Sequence, residues 1–144
     1  MSSGDFQKVL SIIKDNSLHT FFATCDGDQP RVRSITAIVE NDMSIWIATG
    51  SRSRKVQQIR QNPKVCLAFV EQPDGTKSAI VIGEARIVSD VEEKKRIWNL
   101  ASFNMLDYFP DGPASDSFCL LKIVITKIEW WASMEDGLRV YEPV

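Results

Sequence analysis

The six residues Gly50-Ser51-Arg52-Ser53-Arg54-Lys55 carry the clearest chemical signal in this 144-residue chain. They follow an apolar, strand-like run, Ile45-Trp46-Ile47-Ala48-Thr49, and precede a helix-like run, Val56 to Gln61, that Asn62-Pro63 stops. Ser51 or Ser53 is placed to cap that helix. A helix start is the positive end of the peptide dipoles, where acidic residues are usual. Here Arg52, Arg54 and Lys55 crowd it instead. Cations there repel one another unless an anion joins them, and free backbone N–H groups, hydroxyls and cations together suit a phosphate.

Arg33 is a second candidate. The segment Arg31 to Glu40 reads as a strand whose alternate residues are Arg31, Arg33, Ile35, Ala37 and Val39. Arg33 therefore shares a face with apolar residues, either as a rim arginine with its head in water or as part of a site. The short turn Asn41-Asp42 leads into the next strand, Ser44 to Thr49, so the two strands are expected to pair. That pairing brings the start of one beside the end of the other, and Arg33 toward the cationic loop.

The elements that must position these groups alternate in period. Asp5 to Asn16 has a helical stripe of Phe6, Val9, Leu10, Ile12 and Ile13. Leu18 to Cys25, Val65 to Glu71, Ser78 to Val88 and Phe118 to Trp131 read as further strands. Asp26-Gly27-Asp28-Gln29-Pro30 and Gln72-Pro73-Asp74-Gly75-Thr76 are turns. Gly83 within its strand predicts a bulge or sharp bend. Ser89-Asp90 caps a third helix, which explains Glu92 and Glu93 without invoking paired catalytic carboxylates. Six antiparallel strands with flanking helices predict a mainly β, α+β fold: one small closed or partly closed barrel over the whole chain.

Composition sets the bounds. A formal net charge of −2 gives no reason to expect nucleic acid. Cys25, Cys66 and Cys119 are far apart and sit in strand-like contexts, which suits buried thiols in a reducing, cytoplasmic setting. No metal-ligand spacing is present and no metal is expected. His19, the single histidine, reads as a half-buried residue at a strand start, without an acid or nucleophile pattern around it. Trp98, Phe103 and Tyr108 read as packing residues of the core or of a dimer.

Several segments taken in order resemble the pyridoxamine 5'-phosphate oxidase-like flavoproteins, and more closely their general-stress-protein-26-like branch. They are Phe22-Ala23-Thr24, Asp28 to Arg33, Ile47 to Lys55, Asn62 to Phe69 and Val81 to Ala85, with the loop Phe109-Pro110-Asp111-Gly112-Pro113. The resemblance implies a split β-barrel that binds FMN at two equivalent sites of a homodimer interface. Carried over by position, Arg33, Arg54 and Lys55 would hold the phosphate beside Ser51. Ser34, Ile35 and Thr36 would run along the flavin, and Ala48 and Thr49 would line it. Ser78 stands where the family often has a glutamine. Trp131, next to Trp130, corresponds to a tryptophan given to the site by the other subunit. Trp98 or Phe109 could edge the flavin.

The oxidases proper handle substrate with a C-terminal Arg and His; this tail has Arg139 and no histidine, so vitamin B6 oxidation is not expected. The resemblance implies an FMN-dependent oxidoreductase acting on a small molecule. Its rivals are a flavin-binding stress protein with slow or no turnover, and the same barrel holding deazaflavin F420 or haem.

Overall fold

A computed structural model describes residues 3–143. Helix α1 (Ser3–Asp15) lays Val9, Leu10, Ile12 and Ile13 on the barrel core. Then come β1 (Thr20–Asp26), β2 (Gln29–Ile35), β3 (Ala37–Val39), β4 (Ile45–Gly50), α2 (Arg54–Gln61), β5 (Lys64–Val70), β6 (Ser78–Val88), α3 (Val91–Trp98), β7 (Phe118–Trp131) and β8 (Leu138–Tyr141). All pairings are antiparallel. The strand order is β2-β1-β5-β6-β7-β4-β3, with β8 added on β7.

That order explains the shape. Its two ends, β2 and β3, are consecutive in the chain and separated by Thr36 alone. The sheet must therefore curl until its edges meet, and a covalent link closes it there rather than a hydrogen-bonded ladder. The expected barrel class holds, with eight strands in place of six. One addition is the tail strand β8; the other comes from the break at Thr36 in what reads as a single strand from Arg31 to Glu40.

The break has a local cause. The Thr36 hydroxyl donates to the Leu18 carbonyl at 2.8 Å and the Ala37 N–H donates to the Ser17 carbonyl at 3.0 Å. The link after α1 thus takes the hydrogen bonds that a continuous strand would have given to a neighbour. Pairing with β4 stops at Ala37–Ile47, and β2 instead runs along β1 from Thr20–Ile35 to Asp26–Gln29. Gly27, with φ +60°, opens the two-residue loop of that hairpin, where positive φ is needed.

The predicted irregularity at Gly83 is a register shift: Ile82 pairs with Lys127 and Gly83 with Ile125. Barrel filling comes from Phe22, Leu67, Phe69, Val81, Leu121, Ile128 and Trp130. A second cluster, Ile38, Trp46, Ile97, Met105, Phe118 and Leu120, lies under α3 and the segment after it. Arg96 fastens α3 there, bonding Glu40 at 3.0 Å and Glu93 at 2.8 Å and lying 5.7 Å from the Trp46 ring centroid.

The outer face of the other strands has no such cover. One row across it runs Ser34, Phe21, Ala68, Ile80, Glu129, Val140. The next runs Val32, Ala23, Cys66, Ile82, Lys127. Val32 is 66% and Phe21 40% exposed.

Candidate functional site

The loop after β4 forms the helix start that its residue types predict. Of the two candidate caps the structure uses Ser53, whose hydroxyl oxygen accepts from the Val56 N–H at 3.4 Å. Thr49, buried, brings its hydroxyl within 3.4 Å of the Ser53 hydroxyl. The first turn of α2 holds no acidic residue. Ser51 donates its N–H to the Ser117 carbonyl at 3.0 Å, tying the loop to the start of β7. A groove of about 500 Å³ results, walled by Gly50 to Ser53 on one side and by Asp116 and Ser117 on the other.

Arg33 reaches α2, rather than the groove itself, by a route other than β2–β4 pairing. It lies opposite Phe22 on β1, and its guanidinium crosses toward α2. Nη1 donates to the Thr24 hydroxyl at 2.7 Å and the Phe22 carbonyl at 3.3 Å; Nη2 donates to the Gln58 side-chain oxygen at 3.1 Å. The expectation that Arg33 meets the loop through a β2–β4 ladder is corrected accordingly: β1 and the flank of α2 make the connection. Burial pushes the Lys55 ammonium below its ordinary pKa, and the Arg33 charge pushes it further. Burial likewise lowers Arg33, with Arg31 adding to it. Among the described residues neither Arg33 nor Lys55 forms an ion pair with a carboxylate. Two partly desolvated cations thus stand together beside a capped helix start.

Thr24 and Gln58 escape a reading by residue type. Their signal was available as pattern: α2 buries Val56, Gln58 and Ile59, so an amide sits on the packed side of an amphipathic helix. Arg54 lines a recess with Asp26, Gln57, Gln58 and Gln61, so Gln58 borders both that recess and Arg33.

Beyond the Ala37–Ile47 pair the chain at Ile35 and Ser34 leaves β4 behind, and a split opens between β2 and the end of β4. Half-buried Ile35 packs on the barrel core and exposed Ser34 sits opposite Phe21, while half-buried Ala48 packs on the cluster under α3 and Thr49 is buried.

Ser78 and Trp131 are not part of that neighbourhood. They are cross-strand partners at one end of β6–β7, whereas Gly50 pairs with Phe118 at the other end of β7. The two ends are separated by about 40 Å of strand at roughly 3.3 Å per residue. Of the two tryptophans, Trp130 is 2% exposed within the chain's own core and Trp131 is half-buried on the outer face. Arg139 is engaged within the chain, 5.7 Å from the Trp130 ring centroid and paired with Asp136 at 3.5 Å and Asp5 at 3.7 Å.

Other groups take structural places. His19 is exposed in the turn before β1, not half-buried at a strand start, because β1 begins at Thr20. Cys119 is buried as expected, but Cys25 and Cys66 are half-buried, since both lie on the uncovered outer face; all three thiols are free. Trp98 packs edge-on against Phe118 at 5.3 Å and near Phe109 at 6.2 Å, while Phe103 packs on Tyr108 at 5.6 Å. Among the described residues no cluster of His, Cys, Asp or Glu suited to a metal ion occurs, and no helix is long and apolar enough to cross a membrane.

A curled antiparallel sheet closed through one residue, with a cation pair beside its split, defines a split-barrel protein. The sequence pattern of the pyridoxamine 5'-phosphate oxidase family matches residues 8–132, most of the chain, and the chain belongs to that family. Solved structures agree on the fold. General stress protein 26 from Bacillus anthracis is 22% identical, with TM-score 0.78 over 96% of this chain and 98% of that one. A Clostridium acetobutylicum protein related to general stress protein 26 is 16% identical, with TM-score 0.80 over 99% of this chain and 96% of that one. A heme binding protein from Mycobacterium smegmatis is 11% identical, with TM-score 0.73 over 95% of this chain and 57% of that one. No curated protein matches the sequence.

Proposed function

We propose that the chain is an FMN-dependent oxidoreductase acting on a small molecule, with two FMN sites shared across a homodimer. The observation that carries this reading is the Arg33–Lys55 pair. Both cations are partly stripped of water, the Arg33 charge disfavours that of Lys55 as Arg31 disfavours that of Arg33, and the hydrogen bonds of Arg33 go to neutral oxygens. A phosphate dianion relieves both penalties at once. Arg33 and Lys55 would hold the phosphate, with the hydroxyls of Ser51, Ser53 and Thr49 nearby and Arg54 as a flanking charge. Ser34, Ile35, Thr36 and Ala48 would line the flavin along the split. Bound FMN would supply the redox chemistry, taking up and passing on a hydride, while the protein supplies binding and orientation.

The uncovered outer face supports the dimer. Its rows are mostly apolar, and each carries one charge, Glu129 and Lys127, an acid and a base that can pair reciprocally about a two-fold axis. Ser78 and Trp131 lie on or beside this face and far along β7 from their own chain's loop, so a second copy is the source that could bring them to a site.

The purified protein is expected to be yellow, or to become so with FMN, with flavin bands at roughly 370 and 450 nm, and to sediment as a dimer at micromolar concentration. A protein that stays colourless with FMN sinks the cofactor assignment, and a monomer sinks the shared site. A Soret band would instead place haem in the barrel, the ligand named for the Mycobacterium smegmatis relative.

A pH dependence follows from Lys55. Its folded pKa lies below the unfolded value, so at pH values between the two the unfolded chain holds more protons and ligand-free stability rises with pH. Phosphate binding favours the protonated form. FMN affinity is therefore expected to fall as alkaline pH approaches the lowered pKa, while riboflavin affinity stays level. Parallel titrations of both ligands at neutral and alkaline pH check this; parallel pH curves would contradict it.

A further inference from the structure

We infer that Thr24 and Gln58 set the preference of this site for a phosphorylated flavin, by fixing the guanidinium of Arg33. The inference rests on the FMN reading and deepens it. Thr24 and Gln58 are 3% and 8% exposed, so their polar atoms exchange little with water. The Thr24 hydroxyl donates to the Gln58 side-chain oxygen at 2.5 Å and accepts from Arg33 Nη1 at 2.7 Å. The same Gln58 oxygen accepts from Arg33 Nη2 at 3.1 Å. Two adjacent oxygens thus face the two terminal nitrogens of the guanidinium, and the Phe22 carbonyl takes the remaining Nη1 hydrogen at 3.3 Å.

A guanidinium has five N–H groups, and these contacts use three. The Nε–H and the second Nη2–H remain, and they form the parallel pair that matches two oxygens of one phosphate. Thr24 comes from β1 and Gln58 from α2, the helix that also carries Lys55. The same three-way contact therefore sets the place of Arg33 relative to Lys55. Gln58 is neutral, so it orients Arg33 without cancelling its charge. A glutamate there would hold Arg33 as firmly and remove the attraction for phosphate.

The test measures FMN and riboflavin affinities by quenching of flavin fluorescence, with the melting temperature of each ligand-free variant. Thr24→Val and Gln58→Leu are each expected to lower the FMN-to-riboflavin affinity ratio about tenfold, the loss of one charge-assisted contact, with riboflavin affinity kept within about twofold. Thr24→Ser is expected to restore the ratio. Gln58→Glu is expected to lower the ratio at least as far while the melting temperature holds or rises, which a purely structural role would not produce. Variants that keep the wild-type ratio, or that weaken both ligands equally, overturn the inference and leave the FMN reading standing. A wild-type protein that binds FMN no better than riboflavin overturns both.

Discussion

The double variant Arg33→Ala, Lys55→Ala is expected to lose about a hundredfold in FMN affinity and to bind riboflavin nearly as before. Each charged hydrogen bond to a phosphate is worth roughly 1.5–3 kcal/mol, so two at the low end give about 3 kcal/mol, or two decades. The low end applies because both groups are only half-buried and solvent screens their charge. Burial and the Arg33–Lys55 repulsion cost the ligand-free protein stability, so its melting temperature should not collapse; Phe22, beneath Arg33, is already fully buried in the core. Isothermal titration with FMN and with riboflavin separates the contributions. Equal losses for both ligands would mean that the two cations support the flavin ring or the fold, and not the phosphate.

Gly83→Ala is expected to destabilise the fold by about 3 kcal/mol, the upper range of overpacking costs, and to lower the melting temperature by roughly 6–12 °C. A Cβ at position 83 would lie 2.1 Å from the Val124 carbonyl oxygen and 3.0 Å from its carbon. Backbone cannot swing aside as a side chain does, so β6 and β7 must separate where the register shifts between Ile82 and Gly83. These two strands form the longest ladder of the sheet. Thermal unfolding followed by circular dichroism checks the prediction. A melting point within 2 °C of wild type, roughly half a kilocalorie, would show that the bulge absorbs the methyl group.

Much of this architecture is legible along the chain because its causes are local. β6 and β7 have the bounds that their apolar runs predict, Ser78–Val88 and Phe118–Trp131. The helix after Ser53 begins where a cap and the stop at Asn62-Pro63 place it. Gly83 announces the bulge because only a residue without a side chain tolerates so close a neighbour. Asp90 caps α3 with its side chain accepting from the Glu92 N–H at 3.0 Å, as its type and position predict.

The partners of Arg33 are different in kind. Alternation places it on an apolar face, and that much is sequence. Which strand it leans across depends on whether the segment from Arg31 to Glu40 is one strand or two. That was decided by Ser17 and Leu18, whose carbonyls capture the N–H of Ala37 and the hydroxyl of Thr36. No periodicity marks such an event, because the competing bonds come from a turn that has no period.

By itself, then, the sequence determined a mainly β barrel with a cationic, Ser-capped helix start and an arginine on a neighbouring strand. Those features rest on residue type, alternation and capping, which act over a few residues. Tertiary structure alone decided that the barrel is split at Thr36, that Arg33 is held by Thr24 and Gln58, and that Trp131 rather than Trp130 faces outward. It also placed Ser78 and Trp131 at the far end of β7 from Gly50. Each of these depends on which distant backbone groups and side chains compete for the same hydrogen bonds and the same interior space, and that competition is settled only when the sheet has closed.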